Sequence, residues 1–152
     1  MFVKDVMKKA VATCAPESDL ASVIETMRVR DCGFLPVVDS NGIIIGVVTD
    51  RDVCMAAGTT LRPLARVSVK DAMSHPVFSC FPDENVKTVL ATMAKHRVRR
   101  LPVLNKSGHL EGVLSIDDIA QAPPRRGGPT AEEIVAALKG IYTHRTIEAV
   151  TA

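Results

Sequence analysis

The chain repeats itself, and that repetition constrains its fold more than any other feature. Met7 recurs as Met73, Cys14 as Cys80, Pro16 as Pro82 and Met27 as Met93. Leu35-Pro36-Val37 returns as Leu101-Pro102-Val103, Gly42 as Gly108, Gly46 as Gly112 and Asp52 as Asp118. Every pair has one offset (102 − 36 = 66) and no gap is needed. Aligning 3–53 on 69–119 leaves about a third of the positions identical, and most others exchange like for like. A repeat of this length is a supersecondary unit. Two copies are too few for a solenoid, so the expectation is two related units packed face to face around a pseudo-twofold axis. Each half alone is too small to bury much surface, which predicts a shared core.

Both halves follow one pattern. Val11 to Cys14 is expected as a short strand, and Asp19 then precedes a helix. Leu20, Val23, Ile24 and Met27 recur at helical spacing and make one apolar face. Phe34 to Val38 reads as a strand, Asp39-Ser40-Asn41-Gly42 as a turn, and Ile43 to Val48 as a strand apolar enough to be buried on both faces. Thr49 opens a helix that runs to about Ala57. The second half gives the same order: strand Val77 to Cys80, a helix face of Val86, Val89, Leu90 and Met93, strands Leu101 to Leu104 and Leu110 to Leu114, and a helix from Ser115. The order β-α-β-β-α, twice, implies an α/β (α+β) fold with sheets covered by helices. The units are 1–58 and 69–121, joined by a linker at 59–68. Residues 122–129 are a Pro/Gly linker. A Thr130-x-x-Glu133 capping box then starts an amphipathic helix on Ile134, Leu138 and Ile141, reaching about His144, within a terminal segment 130–152. This helix is expected to pack on its own chain or on a dimer mate.

Composition narrows the functional classes. Hydrophobic residues make up 47% but aromatics only 3%, so the core must be aliphatic. A net charge of +2 leaves no global footprint for nucleic acid or an anionic membrane. No apolar run approaches a membrane span, and Met1–Asp5 has no secretory apolar stretch, so a soluble, cytoplasmic protein is expected. Cys14, Cys32, Cys54 and Cys80 form no Cys-x-x-Cys pair, and no His stands at metal-ligand spacing. They are expected to be reduced and small, with a thiol switch between Cys14 and Cys80 as the alternative. No nucleophile–base pair or Gly-rich phosphate loop is present, and His75, His96, His109 and His144 are scattered, so no enzyme is expected.

The chemistry concentrates where each repeat closes: Gly46-Val47-Val48-Thr49-Asp50-Arg51-Asp52 and Gly112-Val113-Leu114-Ser115-Ile116-Asp117-Asp118. Ser/Thr-x-x-Asp at a helix start approximates a capping box. The same geometry also offers free N–H groups and a hydroxyl to a phosphate, and a carboxylate to the hydroxyls of a ribose. The two readings are compatible.

Doubled at one offset, these features resemble a tandem pair of cystathionine-β-synthase (CBS) domains, a Bateman module, over about residues 3–120. The carriers are Asp5-Val6-Met7 and Asp71-Ala72-Met73, the Leu-Pro-Val strands, the Asp/Asn-x-x-Gly turns and the Gly-x-x-Thr/Ser-x-x-Asp exits. The chain looks like a stand-alone two-CBS protein of the signalling or stress-response type. The resemblance implies a non-enzymatic regulatory module, commonly a homodimer, that binds an adenosine-containing ligand between the repeats. AMP, ADP and ATP are the expected ligands, with NAD or S-adenosylmethionine as further possibilities. A ligand-free scaffold acting through dimer surfaces and the terminal helix is the alternative.

By similarity, Thr49 and Asp52 serve one cleft and Ser115 and Asp118 the other, flanked by Asp50, Arg51 and Asp117. The first strands imply an adenine slot at Thr13, Cys14 and Ala15, and at Ser79, Cys80 and Phe81. Residues around the Leu-Pro-Val strands add Phe34 and Pro36, and Val98, Arg99, Arg100 and Pro102. The second half has the basic run His96-Arg97-Val98-Arg99-Arg100 there, where the first has Arg30-Asp31-Cys32-Gly33-Phe34, so Arg97, Arg99 and Arg100 stand against Asp31, Gly33 and Phe34. Strand alternation would put Arg97 and Arg99 on one face and Arg100 on the other. Arg51 against Asp117 adds to the inequality, since Asp117 beside Asp118 repels a polyphosphate. Two unequal clefts are expected. Nucleic acid is not expected, because no aromatic stacking residues accompany Arg97, Arg99, Arg100, Arg125 and Arg126.

Overall fold

A computed structural model describes residues 1–143. Repeat 1 contains α1 (Leu20–Arg30), β1 (Phe34–Val38), β2 (Ile44–Thr49) and α2 (Asp50–Thr59). Repeat 2 contains α3 (Val86–His96), β3 (Arg100–Leu104), β4 (Leu110–Ser115) and α4 (Ile116–Gln121). A final helix, α5, spans Ala131–Ile141. The two sheets are antiparallel hairpins, β1–β2 and β3–β4, with equivalent registers such as Pro36 opposite Val47 and Pro102 opposite Val113. Their turns close through Gly42 and Gly108, whose φ of 76° and 82° suit a residue without Cβ. Among the described residues no helix is long and apolar enough to cross a membrane.

The expected first strands shrink to single parallel bridges, Cys14 with Val37 and Cys80 with Val103. Cys14 N donates to Pro36 O (3.1 Å) and Val38 N to Cys14 O (3.0 Å). Extending this ladder would require an N–H from Pro36 on one side and from Pro16 on the other, and proline has none. Pro102 and Pro82 impose the same limits in repeat 2, around Cys80.

Instead of the single shared core expected, there are two, tied together by exchanged segments. The repeat 1 core gathers Leu20, Val23, Leu35, Val37 and Val48, and takes in Val67 and Val69 from the chain leading into repeat 2. The repeat 2 core gathers Val86, Val89, Met93, Leu101 and Leu114, and takes in Val3 from the start of the chain. Val69 N donates to Ser18 O (2.8 Å), just as Val3 N donates to Glu84 O (3.0 Å). Further on, Lys8 bridges Val113 of β4 and Ser74 bridges Val47 of β2. Each repeat's entry segment thus completes the other repeat, which is the pseudo-twofold expressed in hydrogen bonds.

Two apolar expectations change for related reasons. Ile24 is 42% exposed, whereas its repeat 2 counterpart Leu90 is 3% exposed. The difference is α5, which packs on α3 and adds Ala137 and Ile141 to the repeat 2 core; α1 has no such cover. The β2 strand is buried on one face only, at Gly46 and Val48, because Val47 faces a cleft between the repeats. The Thr130–Glu133 capping box forms as expected, and Lys87 pairs with Glu133 at 2.9 Å. The helix stops at Ile141; the expected end at His144 lies outside the described residues.

Candidate functional site

Both exit motifs are built as capping boxes. Asp52 Oδ2 accepts from Thr49 N (2.8 Å) and Thr49 Oγ1 (2.7 Å), and Thr49 Oγ1 in turn accepts from Asp52 N (3.2 Å). Asp118 Oδ2 accepts from Ser115 N (2.9 Å) and Ser115 Oγ (2.5 Å), and Ser115 Oγ accepts from Asp118 N (3.0 Å). Each box satisfies orphan N–H groups at a helix start. The second carboxylate oxygens differ: Asp52 Oδ1 accepts from Ser74 Oγ at 3.3 Å, while Asp118 Oδ1 lies 3.3 Å from Lys8 Nζ. Ser74 and Lys8 are equivalent residues of the two exchanged segments.

Two clefts open at these motifs. The first, of about 720 Å³, is lined by Thr49, Asp50, Arg51 and Asp52 of repeat 1 and by Arg97, Val98, Arg99, Arg100 and Pro102 of repeat 2. The second, of about 650 Å³, is lined by Ser115, Asp117 and Asp118 of repeat 2 and by Arg30, Asp31 and Cys32 of repeat 1. Phe34 and Arg100, equivalent across the pseudo-twofold, line both. Each cleft therefore joins the exit motif of one repeat to the strand entry of the other. This crossing brings the basic strand entry of repeat 2 to the exit that carries Arg51. The first cleft holds four guanidinium groups against the carboxylates of Asp50 and Asp52. In the second, Lys8, Arg30 and Arg100 are balanced by Asp31, Asp117 and Asp118.

The strand expected to hold Arg97, Arg99 and Arg100 begins only at the last of them. Arg97 caps α3 in the left-handed region (φ 56°) and β3 begins only at Arg100; Arg97 and Arg99 line the first cleft and not the second, while Arg100 lines both. The adenine-slot residues, and Pro36 of the Leu-Pro-Val strand, also lie away from the two clefts. Thr13, Cys14, Ala15, Pro36, Ser79, Cys80 and Phe81 line neither cleft. Pro36 and Cys80 are buried, while Thr13, Ala15 and Phe81 are exposed. The chain passes the clefts earlier, at Ala10, Val11 and Ala12 and at His75, Pro76 and Phe78, before the proline-limited bridges pull Cys14 and Cys80 inward. Phe78 stacks on His96 with ring centroids 3.9 Å apart, a wall that Ala12 cannot reproduce in the second cleft. Sequence reasoning also missed Ser74, Lys8, Ile141 and Tyr142. Only the Met-start entry motif pointed toward the first two, and nothing local marked the others.

The cysteines are free thiols. Cys14 packs against the repeat 1 core and Cys80 lies inside the repeat 2 core, each Sγ 3.9 Å from the carbonyl of its own Pro36 or Pro102. A switch between them has no support in this placement. Burial pushes the Cys14 thiol up to about 11; burial, helped by Glu84, pushes Cys80 up to about 12. Both are therefore neutral at physiological pH. Among the described residues no three His, Cys, Asp or Glu side chains gather as a metal site.

Comparison with known proteins agrees with this architecture. The family model described as "CBS domain" matches twice, at residues 3–58 and 69–125. The CBS domain-containing protein YhcV of Bacillus subtilis (strain 168) is 30% identical over 118 residues, covering 78% of this chain and 82% of that protein. The homoserine O-acetyltransferase of Methanococcoides burtonii is also 30% identical, over 77% of this chain but only 23% of the enzyme. Among solved structures, the CBS domain pair of protein MJ0100 in complex with 5′-methylthioadenosine and S-adenosyl-L-methionine superposes with a TM-score of 0.73 at 22% identity, covering 80% of this chain and 94% of that one. The CBS-domain containing protein ATU1752 from Agrobacterium tumefaciens gives 0.71 at 29% identity, covering 79% and 91%.

Proposed function

The chain belongs to the CBS-domain family as a tandem pair, and from that premise we propose a regulatory module that binds a phosphorylated adenosine nucleotide (AMP, ADP or ATP) in its first cleft. One observation carries this reading: Thr49 and Asp52 of repeat 1 share a cleft with Arg97, Arg99 and Arg100 of repeat 2. The Asp52 carboxylate accepts hydrogen bonds from the ribose hydroxyls, the Thr49 hydroxyl meets the phosphate end, and the guanidinium groups hold the phosphates in fork geometry. Val47, Val98, Pro102 and Phe78 provide apolar surface for the base. A bound nucleotide bridges both repeats, so any shift in their geometry follows from unequal affinity for the two arrangements.

The second cleft discriminates against polyphosphate, because Asp117 and Asp31 face it and Lys8 already occupies Asp118. It suits an adenosine ligand with a neutral or cationic 5′ substituent; 5′-methylthioadenosine and S-adenosyl-L-methionine in the MJ0100 pair belong to that class. NAD, whose pyrophosphate is anionic, is a further candidate for the first cleft. A homodimer, which rests on the family resemblance, and a cytoplasmic setting, which rests on the sequence pattern, belong to the same proposal. Light scattering of the chain with and without nucleotide tests the dimer.

The deciding experiment is a thermal-shift panel of AMP, ADP, ATP, NAD and S-adenosylmethionine on the parent chain and on Asp52→Asn and Asp118→Asn. A ligand at 100 times its dissociation constant adds about 2.7 kcal/mol to the native state. The ATP shift should vanish in Asp52→Asn and persist in Asp118→Asn. No shift with any adenosine compound on folded protein would refute the reading and favour the ligand-free scaffold.

A further inference from the structure

The terminal helix reaches the first cleft and not the second. Ile141, the last residue of α5, is 7% exposed in the repeat 2 core and also lines that cleft. Tyr142 follows it, held at the helix end by its N–H donating to Leu138 O (2.9 Å), and lines the same cleft. Arg99 Nη1 donates to Tyr142 Oη at 3.4 Å. The phenol therefore uses a lone pair on Arg99 and keeps its own O–H to donate. The pseudo-twofold offers the second cleft nothing comparable. The chain has one α5, and the residue equivalent to Arg99 is Gly33, which has no side chain.

We propose that Tyr142, carried by α5, is a ligand-contacting residue of the first cleft that donates its hydroxyl, beside Arg99, to a phosphate of the bound nucleotide. The inference rests on the nucleotide reading above and deepens it. Phosphate-bearing ligands are selected by a residue outside both repeats, and the end of the terminal helix becomes part of the occupied site. The chemistry is that of an oxygen anion taking a charge-assisted pair of donors, one guanidinium and one phenol, whereas unphosphorylated adenosine presents no anion to either.

The chain carries its own probe, since Tyr142 is its one tyrosine and tryptophan is absent. ATP and adenosine are titrated into the full chain by equilibrium dialysis on the parent, on Tyr142→Phe and on Arg99→Gln, and tyrosine fluorescence is followed on the two that keep Tyr142, the parent and Arg99→Gln. Tyr142→Phe should weaken ATP about tenfold, the size expected for one hydrogen bond to a charged group, and leave adenosine unchanged. Arg99→Gln should weaken ATP at least as much, and the parent's fluorescence should change saturably with ATP. Because Tyr142 is 58% exposed, the melting temperature should not move. An ATP affinity within twofold of the parent in Tyr142→Phe overturns the proposal and leaves the nucleotide reading standing. An equal loss for ATP and adenosine also overturns it, by showing a merely structural role. Dialysis that detects no ATP binding to the parent removes the nucleotide reading itself, and this proposal with it.

Discussion

Truncating Val69 to Ala should unfold the repeat to which Val69 does not belong in sequence. Val69 is fully buried, at 0% exposure, yet its neighbours are the repeat 1 residues Leu20, Val23 and Val48. Val69→Ala deletes two methyl groups from a site without solvent. At about 0.8 kcal/mol per buried carbon the transfer loss is about 1.6 kcal/mol. A cavity contribution is added wherever the core does not collapse, giving about 2–3 kcal/mol in all. The assay is urea denaturation combined with native-state hydrogen exchange. Protection should fall first at β1 and β2, in Leu35, Val37 and Val48, while β3 and β4 keep theirs until global unfolding. Val3→Ala, also at 0% exposure, should do the reverse and loosen Leu101, Val103 and Leu114. Leu61→Ala is the control: at 106% exposure it should change stability by less than about 0.5 kcal/mol. If Val69→Ala loosened β3 and β4 while β1 and β2 stayed protected, the exchange of entry segments would be wrong. So would any attribution of the clefts to it.

Further expectations follow from the same contacts. Gly112→Ala should destabilise more than Gly46→Ala: its Cβ would stand 2.5 Å from the Lys8 carbonyl oxygen, which is backbone, whereas at Gly46 the obstacle is the flexible Met73 Sδ at 2.5 Å. Overpacking of this kind costs about 1–3 kcal/mol, read as a drop in urea midpoint. Alkaline pH should weaken the fold through Cys14 and Cys80, whose thiols the folded state raises to about 11 and about 12. Their contribution is complete below the unfolded thiol value of roughly 8.5 and fades as pH climbs from there toward those folded values. Urea midpoints taken between pH 8 and pH 10.5 should fall, and Cys80→Val should flatten the slope. Asp19 should show the opposite sign. The Ser22 backbone N–H and hydroxyl that it accepts from hold its carboxyl below the usual range, so its capping contribution is present above roughly pH 4 and lost on acidification. Asp19→Ala should lower the urea midpoint at pH 7 and lower it less at pH 3.

Local chemistry was legible in the residues because it acts over short spacings. The helix starts at Asp19, Thr49, Ser115 and Thr130 are capped by the side chains expected of them. The hairpin turns close at Gly42 and Gly108. Val86, Val89, Leu90 and Met93 form one buried helix face, as their spacing requires. The first strands failed for a reason also present in the sequence: Pro16 and Pro36 withhold the N–H groups that both flanks of the Cys14 bridge would need, and Pro82 and Pro102 do the same at Cys80. The strand reading of Arg97 to Arg100 failed because a left-handed cap at Arg97 keeps the segment out of the sheet until Arg100.

What the amino-acid order determines alone is the unit and its multiplicity. The 66-residue offset makes two equivalent α-β-β-α pieces, each led by a single bridge, and caps, turns and apolar periods shape each from within. Which piece meets which is a different matter. An exact repeat is equally compatible with an entry segment that packs on its own unit or on its neighbour, since Val3 and Val69 are identical and so are their surroundings by type. Only assembly distinguishes the two, and it exchanges them. The same step brings Arg97, Arg99 and Arg100 to Thr49, Arg51 and Asp52, concentrating in one cleft a charge that sequence separates by about a third of the chain. It also lays α5 over Leu90 but not over Ile24, and carries Tyr142 to the first cleft. Periodicity records contacts along one element, whereas contacts between distant elements depend on how completed units pack, and that is decided only in three dimensions.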